Sequence, residues 1–263
     1  MDPLSIRTVF SFLFGLALGS FLNVCIYRIP RQKSLMSPPS SCPHCGKGIR
    51  FYDNIPLISY IILLGKCRYC RKPISLRYPV VELTTGLLSA ALFIRHGITP
   101  PYFFLLVFAS LLVVISFIDL DFKIIPDVLS LPGIPLGFIA AFLFAVNQVS
   151  WLESLIGILG GGGFFYLIGA GFRRLRGKEG MGGGDIKLLA MIGAWMGWKA
   201  LPFIVLISSL TGTLIGGGAL LMARRGFSEK IPYGPFLVLG TLVYLFFGAE
   251  LRYLWYAYLT QGI

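Results

Sequence analysis

The chain has 263 residues, 56% of them hydrophobic and only 13% charged, with a formal net charge of +12. That balance excludes a soluble globular domain, because its Leu, Ile, Val and Phe runs are far longer than a soluble core helix needs. The basic surplus invites a nucleic-acid reading, which the positions of the charges exclude.

A helix needs about 20 apolar residues to cross a bilayer. Runs at 8–29, 79–95, 101–118, 128–146, 154–172, 185–198, 199–223 and 232–250 therefore predict about eight transmembrane helices. The sixth is short and 185–223 can be divided differently, so seven and nine are the neighbouring counts. Backbone in lipid must satisfy its own hydrogen bonds, which makes these segments helices. The first run has no charged start and no small-residue cleavage site, since Phe21-Leu22-Asn23 follows Ser20. It reads as a retained span and not as a signal peptide. All but four of the 23 Lys and Arg residues fall in 28–77, 119–127, 173–187 and 224–230; the exceptions are Arg7, Arg95, Lys199 and Arg252. Positive residues collect on the cytoplasmic side, so these four loops are expected inside and the amino terminus outside. Topology accounts for the charge, and no nucleic-acid partner is expected.

The expected fold is all-α, a polytopic membrane protein with a small cytoplasmic module. Residues 1–29 form the first span, 30–78 the module and 79–263 the remaining membrane domain. The module is rich in Pro, Cys, Ser and basic residues, and Pro38, Pro39 and Pro43 break any helix there. IPLISYIILL (55–64) is too short to span and reads as a packed or interfacial helix. GGGG at 160–163 and GGG at 216–218 lie inside spans, where small residues let helices approach closely.

Four of the five cysteines form two pairs, Cys42 with Cys45 and Cys67 with Cys70, separated by twenty-one residues. Two C-x2-C knuckles at this spacing fit a structural zinc site, in which four thiolates surround one tetrahedral metal and leave no open position. Redox dithiols are the alternative; disulfides are disfavoured for thiols facing a reducing cytosol. Cys25 reads as buried in the first span. His44 lies between two ligands and is available as a substitute, and His96 reads as a solvated residue of an outer loop.

The acids carry the chemistry. Asp119 closes the third span, with Asp121 and Asp127 just beyond, and Asp185 opens the sixth. Acids embedded at a membrane point to function, and the topology puts Asp119 and Asp185 at one edge on different helices. Two converged carboxylates share a proton, one then serving as base for a water and the other polarising a carbonyl. Glycines before Asp185 are expected to let the backbone bend sharply and to admit a substrate closely. Other readings stand beside this one. Asp185 suits a helix cap or dipole partner, Asp121 a solvated loop residue, and Asp127 a turn or cap. A proton-coupled transporter would carry its acids nearer mid-span and have no zinc module, and a zinc scaffold would not need the acids.

With those residues in view, the chain resembles the type IV prepilin peptidases, bifunctional leader peptidases and N-methyltransferases. The resemblance rests on GSFLNVCIYRIPR (19–31), the four cysteines, DNIPLISY (53–60), RYPVVELTTG (77–86), IDLDFKIIPD (118–127) and MGGGDIKLLAMIGAWMGW (181–198). It implies a Gly-x-Gly-Asp aspartic protease of the bacterial inner membrane, with a periplasmic amino terminus. Asp119 and Asp185 would form the dyad, with Asp121 competing for the first role, and Gly182, Gly184 and Asp127 would support the catalytic loop. Such enzymes cut a basic leader from prepilins and pseudopilins after a glycine. They then methylate the new amino terminus, commonly a phenylalanine, with S-adenosylmethionine. The resemblance links the cysteine module to methyl transfer. No Gly-rich dinucleotide fingerprint is present, so Gly65 and Lys66 beside the second knuckle are the candidate cofactor residues. Glu82 and Asn23 are candidate supports, read alternatively as a helix cap and an interhelical hydrogen bond.

Overall fold

A computed structural model describes residues 3–176, 182–218 and 232–261. Met181, Lys178, Arg224, Arg225 and Lys230, all used in the sequence reading, lie outside the described residues. The chain divides into two compact units, Met1–Val114 and Ile115–Ile263. The described residues contain helices and two isolated β-bridges, with no strand.

In the first unit, α1 (Pro3–Arg28) packs along α3 (Arg77–His96), with the short α2 (Ile58–Ile62) between them in sequence. The two long helices approach closely because glycines remove the side chains that would separate them. A Cβ on Gly15 would stand 2.6 Å from the Ser89 Cβ, and one on Gly19 would stand 2.7 Å from the Glu82 Cα. Helices in lipid gain nothing from hydrophobic exclusion, so contact of this kind and a few polar ties must hold them. Ser11 and Ser89 supply such ties, each hydroxyl donating to the other's carbonyl at 3.0 and 2.8 Å, with the hydroxyl of Tyr102 within 3.0 Å of both. Tyr102 opens α4 (Pro100–Phe122). The expected helix at 55–64 is only five residues long, preceded by a 3-10 turn at Phe51–Asn54.

The second unit contains α5 (Asp127–Phe144) and α6 (Trp151–Ile158), the latter closed at its start by a Ser150–Glu153 capping box. A π turn, Leu159–Phe164, carries α6 into α7 (Phe165–Arg176). Then come α8 (Gly183–Met196), α9 (Leu201–Thr211) with its own π turn at Gly212–Gly217, and α10 (Gly234–Gln261). The helix α8 is the centre: every residue from Leu188 to Met196 is buried. Its neighbours reach its backbone through glycine. A Cβ on Gly157 would lie 2.2 Å from the Gly193 oxygen, and one on Gly161 would lie 2.4 Å from the Leu189 oxygen. The expectation that GGGG at 160–163 serves packing therefore holds at Gly161, whereas Gly163, Gly217 and Gly218 face open space. Polar ties finish the contact. The Trp195 indole donates to the Gly133 carbonyl at 2.8 Å, and the Ser154 hydroxyl donates to the Ala194 carbonyl at 2.7 Å. Gly197, at φ 73°, ends α8 in a backbone conformation that side chains resist.

Among the described residues six helices are long and apolar enough to cross a membrane. Two further helices, α3 and α8, fall where the second and sixth spans were expected. The 14 residues of α8 rise about 21 Å at about 1.5 Å per residue, short of the roughly 30 Å hydrocarbon core.

Because the Gly157–Gly193 contact is backbone on backbone, Gly157→Ala or Gly193→Ala should destabilise the protein by at least about 1–3 kcal/mol through overpacking. Gly171→Ala, which meets nothing within 4 Å, should change stability by less than about 0.5 kcal/mol. Thermal unfolding of the purified protein in detergent measures both.

Candidate functional site

Asp119 sits in the last turn of α4, only 5% exposed. Its Oδ2 accepts the backbone N–H of Gly234 at 2.9 Å. That donor opens α10, 115 positions away in sequence. A Cβ on Gly234 would stand 2.7 Å from the same Oδ2, so only glycine lets this N–H reach the carboxylate. Nothing in the sequence reading singled out Gly234. The available signal was the Gly-Pro pair before an apolar run, a helix-start pattern.

Asp185 is half-buried at the third position of α8 and lies close enough to Asp119 for the two carboxylates to repel each other. The fold thus brings together the ends of α4 and α8, with Asp119 as the acid facing Asp185. Asp121 is exposed on the final turn of α4. Gly182, not Asp185, is the N-cap of α8, and the Asp185 carboxylate accepts a backbone hydrogen bond from Gly182 at the helix start.

The three glycines before Asp185 differ in what surrounds them. Gly182 has extended backbone at φ −65° and ψ 135°, and Gly183 and Gly184 are the first helical residues. None adopts the left-handed conformation. The expected sharp bend is therefore corrected to a requirement for space. A Cβ on Gly182 would lie 2.9 Å from Asp185 Oδ2, and one on Gly184 would lie 2.9 Å from the Ile125 Cβ, while Gly183 meets nothing. The spacing Gly-x-Gly-Asp follows directly, with the unconstrained residue at x.

Asp127 is also corrected as a cap. Pro126 is the N-cap of α5 and has no side-chain cap bond. Asp127 instead accepts Lys187 Nζ at 2.7 and 2.8 Å, tying the start of α5 to the first turns of α8. Both partners are partly exposed, so this pair contributes about 1 kcal/mol at most.

In the first unit the four predicted thiols converge. The sulfurs of Cys42, Cys45, Cys67 and Cys70 all lie within 4.8 Å of one another, and Cys42 and Cys70 are 3.8 Å apart. Tetrahedral thiolates at about 2.3 Å from a zinc ion would be separated by about 3.8 Å, so the donor set fits a metal. The two knuckles repeat one backbone design. Cys42 N–H bonds the Lys47 carbonyl and Cys67 N–H bonds the Lys72 carbonyl, both at 2.9 Å, with bridges Ser41–Gly48 and Lys66–Pro73 outside them. Each turn needs a left-handed residue after its second cysteine, Gly46 at φ 68° and Arg71 at φ 58°. Backbone N–H groups of Cys70 and Tyr69 bring the Cys67 thiol down to about 6, toward the thiolate that binds metal. His44 is exposed and outside the cluster. Arg68 grips Asp53 through Nε at 2.8 and 3.0 Å, which holds that carboxyl below the usual range.

Gly65 is buried against Tyr60 at φ 66°, donating its N–H to the Tyr60 carbonyl, and Lys66 is exposed. Asn23 donates to the Tyr78 carbonyl at 3.1 Å, the interhelical bond expected of it. Glu82 does not cap α3. Its Oε2 accepts the Leu57 N–H at 2.9 Å, which fastens the module to the helix. Cys25 is buried in α1, as expected.

Residues 13–96 match the Bacterial Peptidase A24 N-terminal domain, and residues 106–217 match the Type IV leader peptidase family. A protein of Aeromonas hydrophila named prepilin leader peptidase/N-methyltransferase is 40% identical over 93% of this chain and 92% of its own. The chain belongs to the type IV leader peptidase family. Relatives of the same name in Burkholderia pseudomallei and Pseudomonas aeruginosa are 38% and 39% identical, over 94% and 91% of this chain and 87% and 90% of theirs. No solved structure matches.

The glycine geometry separates positions that sequence alone treats alike. Gly184→Ala and Gly234→Ala should each lower leader cleavage at least about tenfold, because a Cβ displaces an acid or its loop. Gly183→Ala should retain it. Initial rates of precursor cleavage, with protein level as control, measure the difference; equal effects at all three positions would overturn the space argument.

Proposed function

We propose that this chain is an aspartic endopeptidase of the bacterial inner membrane. It removes the leader from type IV prepilins and related pseudopilins after a glycine, then N-methylates the new amino terminus. What carries the reading is that the fold places Asp119 and Asp185, at the ends of two helices, near enough for their charges to interact. Asp119 Oδ2 takes an N–H from Gly234, which leaves Oδ1 the better seat for a proton on that acid. The proton shared by the pair then lies on Asp119 Oδ1 or on Asp185. The ionised partner removes a proton from a bound water while the protonated partner polarises the scissile carbonyl. Water oxygen bonds to the carbonyl carbon, and the carbon–nitrogen bond breaks as the departing nitrogen takes a proton from the pair. Gly182 and Gly184 keep the loop at Asp185 free of side chains, and Asp127 steadies it through Lys187.

Eight helices cross the bilayer in this reading, α3 and α8 among them, with the amino terminus periplasmic and the acids at the cytoplasmic edge. The substrate is held as an apolar helix beside the spans, its basic leader reaching the cytoplasmic face. Acids at helix ends, not at mid-span, favour a peptidase over a proton-coupled transporter. The four cysteines hold a structural Zn2+ that stabilises the module and leaves no position for water. S-adenosylmethionine supplies the methyl group, with Gly65 and Lys66 near its site.

Asp119→Asn or Asp185→Asn alone should reduce cleavage of a prepilin by at least about a thousandfold, as loss of one member of an acid–base pair does. Membrane insertion should be unaffected. An Asp121→Asn variant as inactive as these, with Asp119→Asn active, would transfer the first role to Asp121.

Metal analysis of the purified protein should find one zinc per chain. Cys42→Ser or Cys67→Ser should lose it and lower the stability of the module by several kcal/mol, since binding and folding are coupled. A folded protein that is metal-free and as stable as the wild type would remove zinc from the account.

A further inference from the structure

One further polar assembly stands apart from the acid pair and the thiolates. Residues of the first unit enclose a cavity of about 620 Å³, inside the range of small-molecule sites. Asn23 and Glu82 line it, and they are only 3% and 8% exposed. The Asn23 Nδ2 donates to the carbonyls of Gly19 and Tyr78 at 3.3 and 3.1 Å. Carbonyls only accept, so the amide orientation is fixed and Oδ1 is an acceptor. That oxygen is buried and has no hydrogen-bond partner. A buried acceptor left in this state costs about 1–3 kcal/mol, which a bound donor would recover.

Glu82 adds a second acceptor on the same wall. Leu57 N–H and the Ser20 hydroxyl bond to its carboxylate, but a carboxylate has about four lone-pair sites. Of the cations that border the cavity, three have donors engaged elsewhere. Arg28 donates to the carbonyls of Ser34 and Pro38, Arg31 to the carbonyl of Tyr27, and Arg68 to Asp53. The wall therefore offers a buried anion and a buried neutral acceptor, which together suit a group with several N–H donors and a positive charge. A primary ammonium has that chemistry.

We propose that Asn23 Oδ1 and the Glu82 carboxylate receive the α-amino group of the newly cleaved chain for methylation. The inference rests on the methyltransferase reading above and adds the residues that hold the nucleophile. The ammonium gives one proton to Glu82, which leaves a lone pair on nitrogen. Nitrogen then bonds to the methyl carbon of the sulfonium donor. The carbon–sulfur bond breaks with its electron pair passing to sulfur, and the positive charge ends on nitrogen as a secondary ammonium. Glu82 returns its proton to solvent as the product leaves.

The test uses the full chain in detergent and a peptide with an apolar mature pilin amino terminus, free or N-acetylated. Calorimetry should show the free amine binding at least about tenfold more tightly, a difference of about 1.4 kcal/mol. In Asn23→Ala and Glu82→Gln that ratio should fall toward one. An absent preference in the wild type, or a preference retained in both variants, would overturn the proposal. Leader cleavage and zinc content are measured on the same samples. Their loss together with peptide binding would show a structural role for these residues, which also overturns it. Intact mass of the processed substrate separates the two readings, since methylation adds about 14 Da. A preference for the free amine without added mass would count against methyl transfer while supporting the amine site.

Discussion

The second unit depends on the approach of neighbouring backbones to α8. Helices in lipid are not driven together by exclusion from water, so they adhere through close contact and through polar groups that find partners. The contact of Gly157 with Gly193 brings backbone to backbone. Indole and hydroxyl donors then reach carbonyls on α5 and α8. A 14-residue helix, too short to be fixed by the bilayer itself, is in this way fixed by protein. Its depth and rotation decide where Asp185 stands.

The position of Asp119 has a different origin. It belongs to a long apolar helix that lipid can place, but one oxygen is oriented by a backbone N–H from the far end of the sequence. Glycine at 234 is the condition for that bond, as glycine at 182 and 184 is for the loop under Asp185. Both acids thus sit where side chains have been removed around them. The glycines let the two carboxylates and Ile125 pack directly against backbone, and they do so without a flexible hinge.

Much of this was legible in the sequence, for physical reasons that differ from part to part. Long apolar runs announce themselves by composition, and among the described residues each of the eight falls on helix. The two cysteine knuckles are equally plain because metal geometry restricts their spacing. What was misread at Gly182 and Gly184 was the cause: a glycine needed for space looks identical to one needed for a turn. The ion pair of Asp127 with Lys187 and the bond from Gly234 were hidden because each joins segments that only the folded chain brings together. Glu82 was read as a cap since it stands near a helix start, whereas its partner is a backbone N–H 25 positions earlier. No fingerprint exists for the proposed amine site, which is assembled from one face of α1 and one of α3.

The two cysteine knuckles show how tightly backbone geometry constrains the first unit. They share hydrogen bonds and bridges, but Arg71 occupies the left-handed position that glycine fills at 46. A non-glycine residue there costs about 1 kcal/mol or more and persists only where its surroundings over-determine it. Four converging sulfurs and the paired Cys67–Lys72 bond do so. A module held this rigidly can carry Leu57 to a fixed point, and Leu57 N–H is what orients the Glu82 carboxylate at the cavity wall. The closed thiolate site thus fits a supporting role: by setting the module's shape, it sets the direction of an acid it does not touch.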